Sequence, residues 1–201
     1  MDLAPGTTVS GRYRVQKRAW STGSGDVWVA HDAVLERPVL IQTFPGASAH
    51  DIGTAVARTA QLTHPGLCQI YDVSPDPPAI VFEHAPGGRL SDRKDGALAP
   101  PEAARLVCQL SAAITALHEH GIAHGAISPS TVLFDEEGRP KLSGALLPEA
   151  DDGEAYRPAG AAEPEEGDRY ALAAVAYRLF TGREPGPDAP PARTAKRGVP
   201  P

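Results

Sequence analysis

Residues 118–124 hold four side chains that can ligate a metal or carry a proton: His118, Glu119, His120 and His124. Positions two apart on a helix point to nearly opposite sides, so His118 and His120 diverge, and neither His-Glu-x-x-His nor His-x-Glu-x-x-His is present. No metal site is expected from them. Downstream, Asp135-Glu136-Glu137-Gly138 and Lys141 put carboxylates near an amine. Such a set can hold a cation or supply a base and a charge to a transfer reaction, although a solvated hairpin turn has the same composition. Trp20-Ser21-Thr22-Gly23-Ser24-Gly25 contains the small residues that let a backbone approach phosphate. A tight turn without a ligand is the expectation. Cys68 and Cys108 sit in apolar runs and read as reduced, buried thiols.

The elements that must position these groups follow from periodicity. Polar and apolar residues alternate over 11–19 and 26–31 on either side of the Gly/Ser break, which describes a β-hairpin, and 37–44, 67–73 and 78–82 read as further strands. Ile52, Ala55, Val56, Thr59 and Leu62 recur at three- and four-residue steps, predicting a helix over 50–62 that is stopped by Thr63-His64-Pro65-Gly66. Glu83-His84-Ala85-Pro86-Gly87-Gly88 has the composition of a hinge. Pro101 and Glu102 open the strongest helical pattern, in which Ala103, Leu106, Val107, Leu110, Ala113, Ile114 and Leu117 form one stripe and Gly121 closes it. Residues 132–134 and 141–143 flank the acidic turn as a short hairpin, and Asp168 stands where it can cap a last helix.

Composition bounds the function classes. With 41% hydrophobic and 22% charged residues the chain reads as an ordinary globular protein. No apolar run approaches the roughly 18 to 20 residues of a membrane span, and the first residues lack the basic and apolar regions of a secretory signal. A cytoplasmic location with no membrane segment within the chain is therefore expected. The formal charge of −6, without clustered Lys and Arg, argues against nucleic acid as a partner. Glu149, Asp151, Asp152, Glu154, Glu163, Glu165 and Glu166 make an acidic stretch, read as a solvated loop or an acidic docking patch. The Pro-rich residues 186–201 are expected to be unstructured, with Thr194 as their one hydroxyl and a candidate phosphorylation site.

Taken in order, His124-Gly125-Ala126, Ser128, Thr131 and Gly144-Ala145-Leu146 stand in a frame of Gly121, Ile122, Ile127, Pro129, Val132, Leu133, Gly138, Lys141 and Leu142. This frame resembles the catalytic loop and metal-binding turn of the protein kinases, which write His-Arg-Asp, Lys, Asn and Asp-Phe-Gly at those places. Asp168-Arg169-Tyr170-Ala171-Leu172-Ala173 and the run Tyr177 to Pro185 resemble the family's next helix. The resemblance covers residues 11–185 and looks most like bacterial Ser/Thr kinases, in the degenerate pattern of an actinobacterial pseudokinase. It implies an α+β, two-lobed kinase-like fold with a small β-rich N-lobe and a helical C-lobe truncated after the Asp168 helix. The implied boundaries are an N-terminal tail at 1–10, N-lobe and hinge at 11–86, a partial C-lobe at 87–185 and a disordered Pro-rich tail at 186–201.

By the same resemblance, Gln42 replaces the strand lysine, Ala55 its glutamate partner, Ala126 the base, and Thr131 and Gly144 the two metal ligands. Val27, Leu40, Phe82 and Leu133 would line a vestigial purine pocket, His124 would be the retained structural histidine, and Asp168 would hold the loop backbone. Loss of one electrostatic stabiliser typically costs about 10² to 10³ in rate. The expectation is thus a catalytically inactive pseudokinase, not an enzyme. It would act as a protein-binding or regulatory scaffold in signalling, without cofactor or metal. Its partner would be a protein, with a phosphopeptide-binding domain recruited through Thr194. The alternative is a Ser/Thr kinase-like transferase with atypical or residual ATP-dependent activity, using ATP and Mg and displaced residues such as Asp135 or Glu137 with Lys141. A third reading gives the pocket an apolar ligand.

Overall fold

The structure, a computed structural model, describes residues 3–93, 96–145, 154–158, 160, 163–186 and 188–195. In its first part the period-two pattern becomes an antiparallel sheet of six strands: β1 (Thr8–Val9), β2 (Tyr13–Thr22), β3 (Gly25–Asp32), β4 (Arg37–Thr43), β5 (Ile70–Pro75) and β6 (Pro78–Glu83), ordered β1-β2-β3-β4-β6-β5. Alternation gives each strand two faces. Val39 and Ile41 of β4 join Val9, Tyr13, Ala30 and Val81 on one side, while Leu40 joins Val27, Ile80 and Phe82 on the other. The first ten residues, expected as a tail, supply β1 and bury Leu3 and Val9.

One helix, α1 (Ala49–Val56), packs Ile52 and Val56 against the Leu40 face. Its start is capped by Ser48, whose hydroxyl accepts the Asp51 N–H at 3.1 Å. It stops well before residue 62, because the Thr59 hydroxyl donates to Val56 O at 3.0 Å and the chain re-forms as a separate 3₁₀ turn, Thr59–Gln61.

The second part is built on α2 (Pro100–Glu119), where Ala103, Leu106, Leu110, Ala113, Ile114 and Leu117 are all buried. Burial on this scale stabilises by roughly 1.5–3 kcal/mol for each Leu or Ile. Against this stripe pack the short hairpin β7 (Val132–Phe134) with β8 (Pro140–Leu142), and α3 (Pro164–Thr181) through Ala171, Ala174, Val175 and Leu179. Gly182 ends α3 at φ 70°, the left-handed conformation that glycine adopts without a Cβ penalty, and its N–H returns to Arg178 O at 2.8 Å. A short α4 (Ala192–Ala195) lies within the stretch expected to be unstructured, and 196–201 fall outside the described residues. The fold is α+β in two lobes. No described helix is long and apolar enough to cross a membrane.

Candidate functional site

The loop of residues 124–131 is held from below by Asp168, buried in the second turn of α3. Its carboxylate accepts the N–H of His124 at 2.7 Å and of Gly125 at 2.8 Å, and lies 2.8 Å from His118 Nε2. The expectation that Asp168 caps its own helix is corrected here: Glu163 is the N-cap, and Asp168 lies inside the helix because its side chain serves the loop. Holding the loop backbone, the other role expected of it, is what the geometry shows. The ring of His124 is wholly buried; burial pushes its pKa down, with the Asp168 charge opposing, and Nε2 has no partner among the described residues.

At the other end of the loop Thr131 works as a staple. Its hydroxyl accepts the Ser128 N–H at 3.0 Å and shares its proton between Ala126 O at 2.9 Å and Ser128 O at 3.1 Å. Both Thr131 and Ser128 are buried. A threonine can keep the loop's shape in this way while offering a metal neither charge nor carbonyl. Ala126 offers no proton acceptor in its side chain, and Gly144, at φ 81°, offers no side-chain ligand.

The cleft between the lobes is closed from above. Val27 and Leu40 are 1% exposed, Leu133 0% and Phe82 6%, so the four residues expected around a purine pack on one another. Leu40 fills the space that a smaller residue would leave. The glycine hairpin lies down on β4: Asp26 and Thr43 exchange hydrogen bonds of 3.2 and 3.1 Å, and a Cβ on Gly25 would stand 2.0 Å from Thr43 O. Gln42 is buried and donates to Ser24 Oγ at 3.3 Å. Trp20 reaches across the mouth to the other lobe, where the Arg89 guanidinium stacks 4.9 Å from its ring and forms a two-pronged pair with Asp92. That pair had no local signal in the sequence, because its halves are 69 positions apart (89 − 20) and belong to different lobes.

The displaced residues do not converge. Asp135 and Glu137 both pair with Arg139, at 2.7 and 2.8 Å, whereas Lys141 pairs with Glu83 at 2.9 Å. Ala55 is a half-buried residue of α1. His118 and His120 separate as their spacing requires, His118 to Asp168 and His120 to Ala116 O at 2.8 Å. Among the described residues no group of three or more His, Cys, Asp or Glu is placed so that it could hold a metal ion. The side chains at positions 42, 55, 126, 131 and 144 thus bring no charge to a magnesium triphosphate. Cys68 borders a cavity of about 30 Å³ behind Phe82, shared with Gln42, Leu117, Gly144 and Ala145. Burial raises its thiol pKa and holds it neutral.

No protein-family model matches the chain. It is 30% identical over 216 residues to the DNA damage-responsive serine/threonine-protein kinase RqkA of Deinococcus radiodurans, covering 92% of this chain and 32% of that protein. It is 29% identical over 206 residues to the serine/threonine-protein kinase PrkC of Bacillus subtilis, covering 90% and 32%. The chain thus spans about a third of the length of these relatives. Among solved structures, the kinase domain of Mycobacterium tuberculosis PknI superposes with a TM-score of 0.79 at 22% identity, over 98% of this chain and 85% of that one. These findings correct the expectation of an inactive scaffold without cofactor. The relatives are named as kinases, enzymes that work on ATP with magnesium, and none of those names marks inactivity. The kinase-like transferase is the reading they favour. Shared sequence, the two-lobed architecture and the loop anchored on Asp168 lead to one assignment: the chain belongs to the protein kinase-like superfamily, and its relatives are bacterial serine/threonine kinases.

Proposed function

We propose that this chain is a serine/threonine kinase-like transferase with atypical or residual ATP-dependent activity, its lobes dividing between residues 86 and 87. The observation that carries this reading is the set of relatives named serine/threonine-protein kinases, which match nine-tenths of the chain. The retained frame supports it: a buried acid fixes the loop that would face the acceptor hydroxyl, and a hinge joins sheet and helices. Transfer is slow on this reading, because the side chains at 42, 55, 126, 131 and 144 carry none of the charge that stabilises a moving phosphoryl group. Proteins are the substrates, and the chain works in the cytoplasm, in keeping with two cysteines that form no disulfide. Thr194, exposed on α4, is the hydroxyl through which a phosphopeptide-binding domain would be recruited.

The test is incorporation of γ-labelled phosphate into casein by the purified chain with ATP and magnesium. Slow transfer above a no-enzyme control is expected. Restoring Gln42→Lys, Ala55→Glu, Ala126→Asp, Thr131→Asn and Gly144→Asp together should raise it by about 10² or more. Absence of label with the natural chain, at a sensitivity that detects the restored variant, would overturn the reading.

A further inference from the structure

On the sheet-bearing lobe a larger cavity, of about 500 Å³, opens between the glycine hairpin and the turn that joins β5 to β6, with Leu3, Trp28, Pro45, Pro77 and Pro78 in its lining. It belongs to the outer face of the sheet, where Trp28 packs with Leu3, Val39 and Ile41, whereas the cleft lies on the face of Val27 and Leu40. Walls of proline and tryptophan lose little side-chain freedom when an occupant settles on them. Trp28 is 8% exposed, and its Nε1 is buried without an acceptor among the described residues, so this wall holds a donor that the fold leaves unmet. Asp26 is the single ionisable residue of the lining among the described residues. Its carboxylate accepts the Ser21 hydroxyl at 2.6 Å, and the exposed Arg18 stays 3.6 Å away, a solvent-screened pair that leaves the negative charge in place. An indole, prolines and one carboxylate are the groups that recognise an extended proline-bearing peptide with a cation beside it.

The chain itself carries such a segment. Lys196-Arg197-Gly198-Val199-Pro200-Pro201 sets two cations just ahead of two prolines, in a chain whose formal charge is −6. It follows α4, which is tied to the helical lobe by the Tyr177 hydroxyl donating to Pro190 O at 3.0 Å. Segment and cavity thus start from different lobes. We infer that the cavity receives residues 196–201 of a second copy of this chain, with Lys196 and Arg197 facing Asp26 and the two prolines set against Trp28 and the proline walls. The contact joins two different surfaces, so it is head-to-tail, and it stands independently of any phosphoryl transfer.

Sedimentation equilibrium of the full chain, and fluorescence anisotropy of a labelled peptide of residues 196–201, test this. The mean mass should rise with concentration, and the peptide should bind. Asp26→Asn should weaken peptide binding by at least about tenfold, as should a peptide with Gln at both basic positions, and the difference should shrink as salt rises. Gly23→Trp, made where an added Cβ meets nothing within 4 Å, should also weaken binding by crowding the cavity. Thermal melts report the folding of each variant. Mixing separates the two surfaces: a chain with Asp26→Asn and a chain with Lys196→Gln and Arg197→Gln should each stay monomeric where the natural chain associates, and should pair when combined. A natural chain that stays monomeric up to about 200 μM, a peptide bound equally well by Asp26→Asn, or variants that do not pair on mixing would overturn the inference.

Discussion

His124 carries a pH dependence that its burial imposes. Desolvation holds its folded pKa below the ordinary value, more strongly than the Asp168 charge opposes it, and the ring stays neutral inside the loop. Unfolding exposes an imidazole with a pKa of about 6.5. Below that pH the unfolded chain takes up a proton that the folded chain refuses. The contribution is complete above pH 6.5 and is lost as pH falls towards the folded value, with a slope of at most about 1.4 kcal/mol per pH unit. His84 titrates in the same sense, lowered first by burial and then by Lys17, so His84→Gln is the background in which to measure. Asp32, held below the carboxylate range chiefly by Arg12, acts only at lower pH. Urea midpoints of that background should fall between pH 7.5 and 5.0, and a further His124→Asn change should flatten the fall. An unchanged slope would remove His124 as its source.

At the scale of elements, the glycine hairpin reaches across the mouth of the cleft through Trp20. Its polar groups are satisfied by Thr43 and Gln42 of β4, and Trp20 is stacked on Arg89 of the other lobe, a contact worth about 0.5–2 kcal/mol. Trp20→Gly should free the mouth and strengthen binding of a fluorescent ATP analogue by about tenfold, read as a tighter Kd in a titration. If the affinity is unchanged, closure resides in Leu40 and its neighbours instead of the indole. This element also marks how far the sequence could be read. The strands and α2 were legible, because alternation and a leucine stripe are local patterns that burial enforces. The short span of α1 was not: Thr59 fits the periodic pattern by position, yet its hydroxyl takes the Val56 carbonyl, which a pattern of apolar spacing does not register. The uncharged positions at Gln42, Ala126, Thr131 and Gly144 could be named only through the resemblance to the kinase frame. The Trp20–Arg89 stack, and the use of the Thr131 hydroxyl as a loop staple, depend on groups brought together only by the finished fold. What those positions do to the rate is not written in the frame, and there the relatives' names outweighed the missing charges.

Across the whole molecule, one carboxylate couples three pieces of the helical lobe. Asp168 on α3 binds the backbone of His124 and Gly125 in the loop and the side chain of His118 on α2. The loop in turn joins the hairpin, where Ser143 N donates to Thr131 O at 2.9 Å, and the hairpin meets the sheet-bearing lobe through Cys68 N to Leu142 O and Leu142 N to Gly66 O, each 2.8 Å. Arg58 adds bonds of 3.1 and 3.0 Å to the carbonyls of His120 and Gly121 at the end of α2. A seam with this many backbone bonds should melt as one unit. Asp168→Ala leaves two backbone N–H groups in a buried setting and removes a hydrogen-bonding partner of His118, a change of the kind that costs about 3 to 5 kcal/mol. Because the damage is confined to the helical side of the seam, the sheet should outlast it. Calorimetry should show a single transition for the natural chain, and a lower, split transition for Asp168→Ala in which the sheet-bearing lobe melts last. A variant that melts in one step at the natural temperature would mean that the loop, α2 and α3 hold their places without the carboxylate between them.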